Sequence, residues 1–329
     1  MLKEFYKKNF MNQKMMRTVI KALIPIIIAS IFFFGWRSLV LMIWVTFVGG
    51  LTEYIFEKKS GKKNPKVTEA VFVTSILYVM TLPVRTPLWI AAVGIIVAVI
   101  FGKAVFGGFG RNIFNPALVG RAFIYVSFPE PLTIEWTHAA SSLPGGFGTY
   151  LMENVDSISQ ATPMLLFKDA GTLTSYKDLL LGTNIAGAIG ETSAILIILA
   201  AIYLIYKKVA SWEIMAGVTV GFVGLSSVLY LMGNAQIPNP LFGILSGGFL
   251  FGTVFMATDP VSSAKTKEGK WIYGIIIGIV TVIIRGYALF AGGMMFAILI
   301  GNTFAPLIDE LVRKSKASKK AKKAAGGVS

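Results

Sequence analysis

The chain's 329 residues are 55% hydrophobic and 14% charged, with a mean hydropathy of +0.70, which excludes an ordinary soluble domain and implies a multi-pass membrane protein. Its 31 lysines and arginines outnumber 16 acids, but the basic runs are short loops and a tail, which excludes a solvated nucleic-acid-binding domain. With no cysteine in the sequence, disulfides, thiolate metal sites and cysteine-held iron–sulfur clusters are excluded as well.

In chain order, apolar segments run over 20–34, 38–56, 67–82, 88–106 and 115–128, then 188–206, 214–232, 241–257, 271–284 and 286–304. They predict an all-α polytopic protein of about ten transmembrane helices. Several fall short of the roughly 20 residues of a straight crossing, so broken helices are expected inside the bundle. The first segment has no cleavage site after it and leads at once into the second, as a retained helix does and a signal peptide does not.

Ten crossings put both termini on one side. Lys3, Lys7, Lys8, Lys14, Arg17, the cluster from Lys58 to Lys66, Lys207, Lys208, Lys265, Lys267, Lys270 and the tail from Arg313 to Lys323 share one face, which is therefore expected to be cytoplasmic. The longest connection, 129–178, holds Glu130, Glu135, Glu153, Asp156, Asp169 and Asp178 against Lys168 and Lys177 alone, and belongs outside. The expected organisation is a five-helix unit over 1–128, an extracytoplasmic loop over 129–187, a second five-helix unit over 188–308 and a basic cytoplasmic tail over 309–329.

Each half carries a glycine-rich segment followed by a polar residue and proline: GGFGRNIFNPALVGR from Gly107 to Arg121, and GGFLFGTVFMATDPVSSAK from Gly247 to Lys265. Asp259–Pro260 stands where the first half has Asn115–Pro116. Two five-span halves would have opposite topology, an arrangement that places broken helices and a binding region between them. The competing reading is that glycine and proline are simply common in membrane helices.

Asp259, beside Pro260 near the end of an apolar segment, is costly there unless solvated or paired. It either caps a broken helix, pairs with Lys265, or belongs to an ion pathway, and Glu53 and Glu69 beside the lysine loop carry the same alternatives. Arg285 is expected at an outer interface, snorkelling or meeting an acid. His138 stands without a ligand cluster, so no metal site is expected. No strand–turn–helix GxGxxG is present, so direct nicotinamide binding is not expected of this chain.

The outer loop contains DSISQATPMLLFK, Asp156 to Lys168, read plainly as a polar turn before an interfacial apolar stretch. Its core of Asp156, Ser159, Gln160, Ala161, Thr162 and Pro163 resembles the flavinylation motif of the RnfD/NqrB family, membrane subunits of ion-translocating electron-transport complexes. GFGRNIFNPALVGRAF and FMATDPVSS resemble further segments of that family, so the likeness spans both halves. Ser157 stands where the family usually has glycine. The resemblance implies inverted five-helix repeats and FMN joined by a phosphoester to Thr162, on the extracytoplasmic face, by a separate flavin transferase. It also implies a noncovalent riboflavin-like flavin, with Gly108, Gly110, Asn112 and Asn115 as candidate contacts beside their plain role in helix packing.

Only about 20 residues precede the first span, which favours the RnfD branch over the quinone-reducing NqrB branch. The expected partners are then other Rnf-type membrane subunits, an extracytoplasmic FMN subunit, and iron–sulfur or flavin entry subunits on the cytoplasmic side of a prokaryotic inner membrane. The expected work is electron relay coupled to Na+ or H+ movement. A flavin-free solute transporter is the contrasting class, because inverted repeats also serve alternating access.

Overall fold

The computed structural model describes residues 9–61, 64–152, 161–288 and 292–325. It is a helical bundle whose order begins with a two-residue strand β1 (Phe10–Met11), α1 (Lys14–Phe34), α2 (Arg37–Lys59), a second short strand β2 (Val67–Thr68), α3 (Glu69–Met80), α4 (Leu88–Gly102) and α5 (Pro116–Ser127). After the long connection come α6 (Pro163–Ala170), α7 (Ala194–Tyr206), α8 (Trp212–Leu231), α9 (Pro240–Leu245), α10 (Lys267–Tyr287) and α11 (Gly293–Ala325). Between α9 and α10 a turn at Phe249–Phe251 runs into a π-helical stretch, Gly252–Met256.

Six of the described helices, α1, α2, α4 with its helical continuation to Phe106, α8, α10 and α11, are long and apolar enough to cross a membrane. Their outward residues are apolar too, Ile43, Phe47, Phe101, Val220 and Ile283 among them, as suits a lipid-facing surface. The apolar segments at 67–82, 115–128 and 188–206 yield only the shorter helices α3, α5 and α7, and that at 241–257 is divided into α9 and the π stretch. Flanking turns supply the rest of each segment. Gly190 N–H and Ile189 N–H donate to the carbonyls of Met80 and Leu82, at 2.8 and 3.0 Å, tying the turn after α3 to the approach to α7.

Two ends of the bundle are defined by hydrogen bonds. At one, β1 pairs in parallel with β2, Lys265 N–H reaches Asp309 Oδ2 at 2.7 Å, and Lys316 meets Glu268 at 2.6 Å. At the other, Arg37 donates to the carbonyls of Val84, Arg85 and Thr86, and Ala140 N–H to that of Phe33. The lysine-rich connections gather at the first end and the long acidic connection at the second.

The tightest helix pair, α8 with α10, is set by glycine. Gly217 and Gly221 face Gly274 and Gly278, two GxxxG patterns whose missing side chains let backbones touch. A Cβ on Gly217 would stand 2.9 Å from the Trp271 carbonyl oxygen, and one on Gly274 2.7 Å from that of Ile214. Gly224, on the same helix as Gly217, has nothing within 4 Å of its Cβ position. Gly278→Leu is therefore expected to cut the yield of monodisperse protein in detergent several-fold and lower its unfolding temperature, whereas Gly224→Leu leaves both unchanged; size exclusion and a thermal melt read the pair.

Candidate functional site

Three helices open on a polar residue followed by proline. Asn115 Oδ1 accepts from Ala117 N–H at the start of α5, Asn239 Oδ1 accepts from Leu241 N–H at α9, and Thr162 Oγ1 accepts from Leu165 N–H, at 3.4 Å, at α6. Proline suits the first helical position because its missing N–H would have no partner there. Asp259–Pro260 behaves differently: the carboxylate closes a turn, accepting from Val261 N–H and Ser262 Oγ, and no long helix follows at once. The local counterpart of Asn115–Pro116 is thus Asn239–Pro240, a pair the glycine-rich alignment passes over.

The two glycine-rich segments nevertheless meet. Asn302, buried in α11, accepts from Asn115 N–H at 3.1 Å and donates to the Ser262 carbonyl at 3.2 Å and to the Tyr273 hydroxyl at 2.8 Å. Asn115 Nδ2 reaches the Met256 carbonyl at the end of the π stretch. Asn112, Asn115 and Asp259 line a small cavity of about 70 Å³ at the lysine-rich end, with Lys103 and Phe109. Gly108 and Gly110 do not line it, though both hold left-handed backbone, φ +93° and +86°.

Thr162 lies on a different and larger cavity, about 280 Å³, at the acidic-loop end. Pro163 and Met164 of α6, Arg121 of α5, Glu191 before α7 and the Gly247–Gly248 turn line it. Both glycines are left-handed, φ +62° and +68°, and a Cβ on Gly248 would press on the Glu191 carboxylate. Arg285 stands behind this turn, 4% exposed, donating to the carbonyls of Gly243, Ser246 and Gly247 at 2.6, 3.1 and 2.8 Å, with its guanidinium over Phe222 and Phe249. It does not snorkel. The break after α9 leaves carbonyls without helical partners, and this side chain satisfies them. Ala161 adjoins Thr162 just ahead of α6, while Asp156, Ser159 and Gln160 lie outside the described residues.

Two of the three acidic candidates are already paired. Glu53 meets Lys103 at 2.6 Å, and Lys103 Nζ also donates to Thr68 Oγ1 at 2.5 Å, with both charged side chains about 5% exposed or less. Glu69 accepts from Gln13 N–H and Arg17, at 2.6 and 2.7 Å. Asp259 has no cationic partner within ion-pair distance among the described residues; Lys265 turns instead to the carbonyls of Pro260 and Val261. His138 is half-buried in the loop, bridged through its backbone to Ala186, and burial holds its imidazole below the ordinary pKa. Among the described residues no group of three or more histidines and acids is placed to hold a metal ion.

The chain belongs to the NQR2, RnfD, RnfE family, whose model matches residues 3–318. It is 43% identical over 282 residues to the NqrB component of the Na(+)-translocating NADH-quinone reductase of Azotobacter vinelandii, covering 82% of this chain and 65% of the relative. The counterparts of that protein in Pseudomonas aeruginosa and Klebsiella pneumoniae are 39% identical over 278 residues and 38% over 306, covering 80% and 84% of this chain and 64% and 69% of theirs. The chain thus spans about 65% of the length of the Azotobacter relative. These relatives overturn the expected RnfD branch. That expectation rested on the length of one terminal segment, whereas the identity runs through the helical core.

Removing one partner of a buried ion pair strands the other charge, a loss of about 3–5 kcal/mol. Lys103→Met should therefore lower the unfolding temperature sharply, and the double variant with Glu53→Gln should recover most of the loss; thermal unfolding of both in detergent checks this.

Proposed function

We propose that this chain is the NqrB-type membrane flavoprotein of a sodium-translocating, quinone-reducing electron-transport complex, carrying FMN as a phosphoester on Thr162. The observation that carries the proposal is the position of the Thr162 side chain on the wall of the 280 Å³ cavity, at the start of α6. A cavity of that size is near the lower end of those that take small ligands, and its wall mixes apolar side chains with a few charged ones. A phosphate on Oγ1 would lie at the N-terminus of α6, where backbone N–H groups and the helix dipole favour negative charge. When bound, the flavin supplies the electron chemistry. The residues of the chain fix it, surround it with low-dielectric wall and keep charged groups near it.

The proposed topology has ten crossings in two five-helix halves, with the lysine-rich end cytoplasmic by the positive-inside rule and Thr162 outside. A separate transferase would attach the FMN there. Redox partner proteins on both sides of the membrane would deliver and remove electrons, and the quinone and NADH of the relatives' name would belong to the assembled complex. Asp259, with no cationic partner among the described residues where Glu53 and Glu69 have theirs, is the proposed ion-route carboxylate. A noncovalent flavin bound through Asn112 and Asn115 would have to widen the 70 Å³ cavity they line.

Intact mass of the denatured chain, made together with a flavin transferase, tests the attachment. Wild type is expected to carry about 438 Da beyond its sequence mass, FMN less water, and Thr162→Ala none. An unmodified wild type beside a transferase shown to be active would remove the proposal and return solute transport to first place.

A further inference from the structure

The cavity beside Thr162 contains a charge arrangement that attachment alone leaves without a purpose. Arg121 Nη1 and Glu191 Oε1 lie 3.6 Å apart, each side chain 14% exposed and each lining the cavity. Among the described residues neither side chain makes a hydrogen bond. Two nearly buried ionic groups with unused donors and acceptors are costly unless a further polar group completes them. Behind the Gly247–Gly248 turn, Arg285 gives its two terminal nitrogens to three carbonyls, its Nε has no hydrogen-bond partner among the described residues, and its charge stays in place, so two guanidiniums oppose one carboxylate.

The polar edge of an isoalloxazine ring offers carbonyl acceptors beside an N–H donor. A guanidinium donates to the first and a carboxylate accepts from the second. Full reduction adds two electrons and one proton, at N5, and leaves a negative charge on the N1–C2 carbonyl edge. A fixed positive group near that edge stabilises the reduced form and a fixed negative group destabilises it.

We propose that Arg121 and Glu191 hold the polar edge of the flavin and set its reduction potential in opposite directions, Arg121 raising it and Glu191 lowering it. The inference rests on the attachment at Thr162. One unit charge within several ångströms, at the effective dielectric of a protein site, changes the reduced-to-oxidised ratio at fixed potential by at least about tenfold.

The test is a potentiometric titration of the full chain, purified with its covalent flavin and reduced with dithionite, which is oxidised to sulfite. Flavin absorbance is followed through mediators, and Thr162→Ala serves as the blank for any noncovalent flavin. At the wild-type midpoint potential, Arg121→Gln should show a reduced-to-oxidised ratio at least about tenfold lower and Glu191→Gln one at least about tenfold higher, with Arg121→Lys close to wild type. Unmoved midpoints, or shifts of both variants in one direction, would overturn the tuning. If Arg121→Gln does not accumulate, Glu191→Gln decides alone, since an unchanged or lowered midpoint contradicts the proposal. A fluorescent flavin band on a denaturing gel separates the two questions: its presence in every variant with unmoved midpoints overturns the tuning only, whereas its absence from wild type overturns the attachment and the tuning with it.

Discussion

Backbone groups released where a helix breaks in an apolar medium must find partners inside the protein, because lipid offers none. Two side chains meet that requirement here. Asn302 joins the start of α5 to the turn after the π stretch, through Asn115 N–H and the Ser262 carbonyl, and is itself held by Tyr273. Arg285 takes the carbonyls left open between α9 and Phe249. With the breaks satisfied, the chain can keep irregular backbone beside both cavities, glycine-lined at the larger one.

The cavities differ in their electrostatics. At the lysine-rich end the charged groups are mostly matched: Glu53 with Lys103 and Glu69 with Arg17, with Asp259 left to close its own turn. At the acidic-loop end Arg121 and Glu191 have no other polar partner among the described residues, on the cavity that Thr162 also lines. The first pairs are hydrogen-bonded at 2.6 Å, whereas Arg121 and Glu191 face each other at 3.6 Å with donors and acceptors open to the cavity, where a ligand can complete them. That contrast supports the proposed placement of the flavin in the Thr162 cavity.

Much of the helical plan was legible because hydropathy alone reports a 20-residue apolar run; α2, α8 and α10 begin and end within a few residues of their expected limits. Of the short helices, α3 and α5 also lie within about two residues of the expected 67–82 and 115–128, but the caps at Asn115–Pro116 and Asn239–Pro240 leave no mark in hydropathy. The GxxxG patterns at Gly217 and Gly274 were visible in the sequence but uninformative until both were known to face one another. Thr162 was singled out by a motif, whereas Arg121 and Glu191, 70 residues apart, become neighbours only through the packing of α5 against the approach to α7. The branch of the family was misjudged from the amino-terminal length, whereas the identity to the relatives runs through the helical core.

The central claim is that the group on Thr162 turns inward, into the cavity bounded by Arg121, Glu191 and the Gly247–Gly248 turn. An electron cryomicroscopy map of the flavinylated chain in lipid nanodiscs tests it most directly. The account predicts planar ring density within that cavity, in contact with both charged side chains; ring density lying outside, against the exposed loop surface, would contradict it.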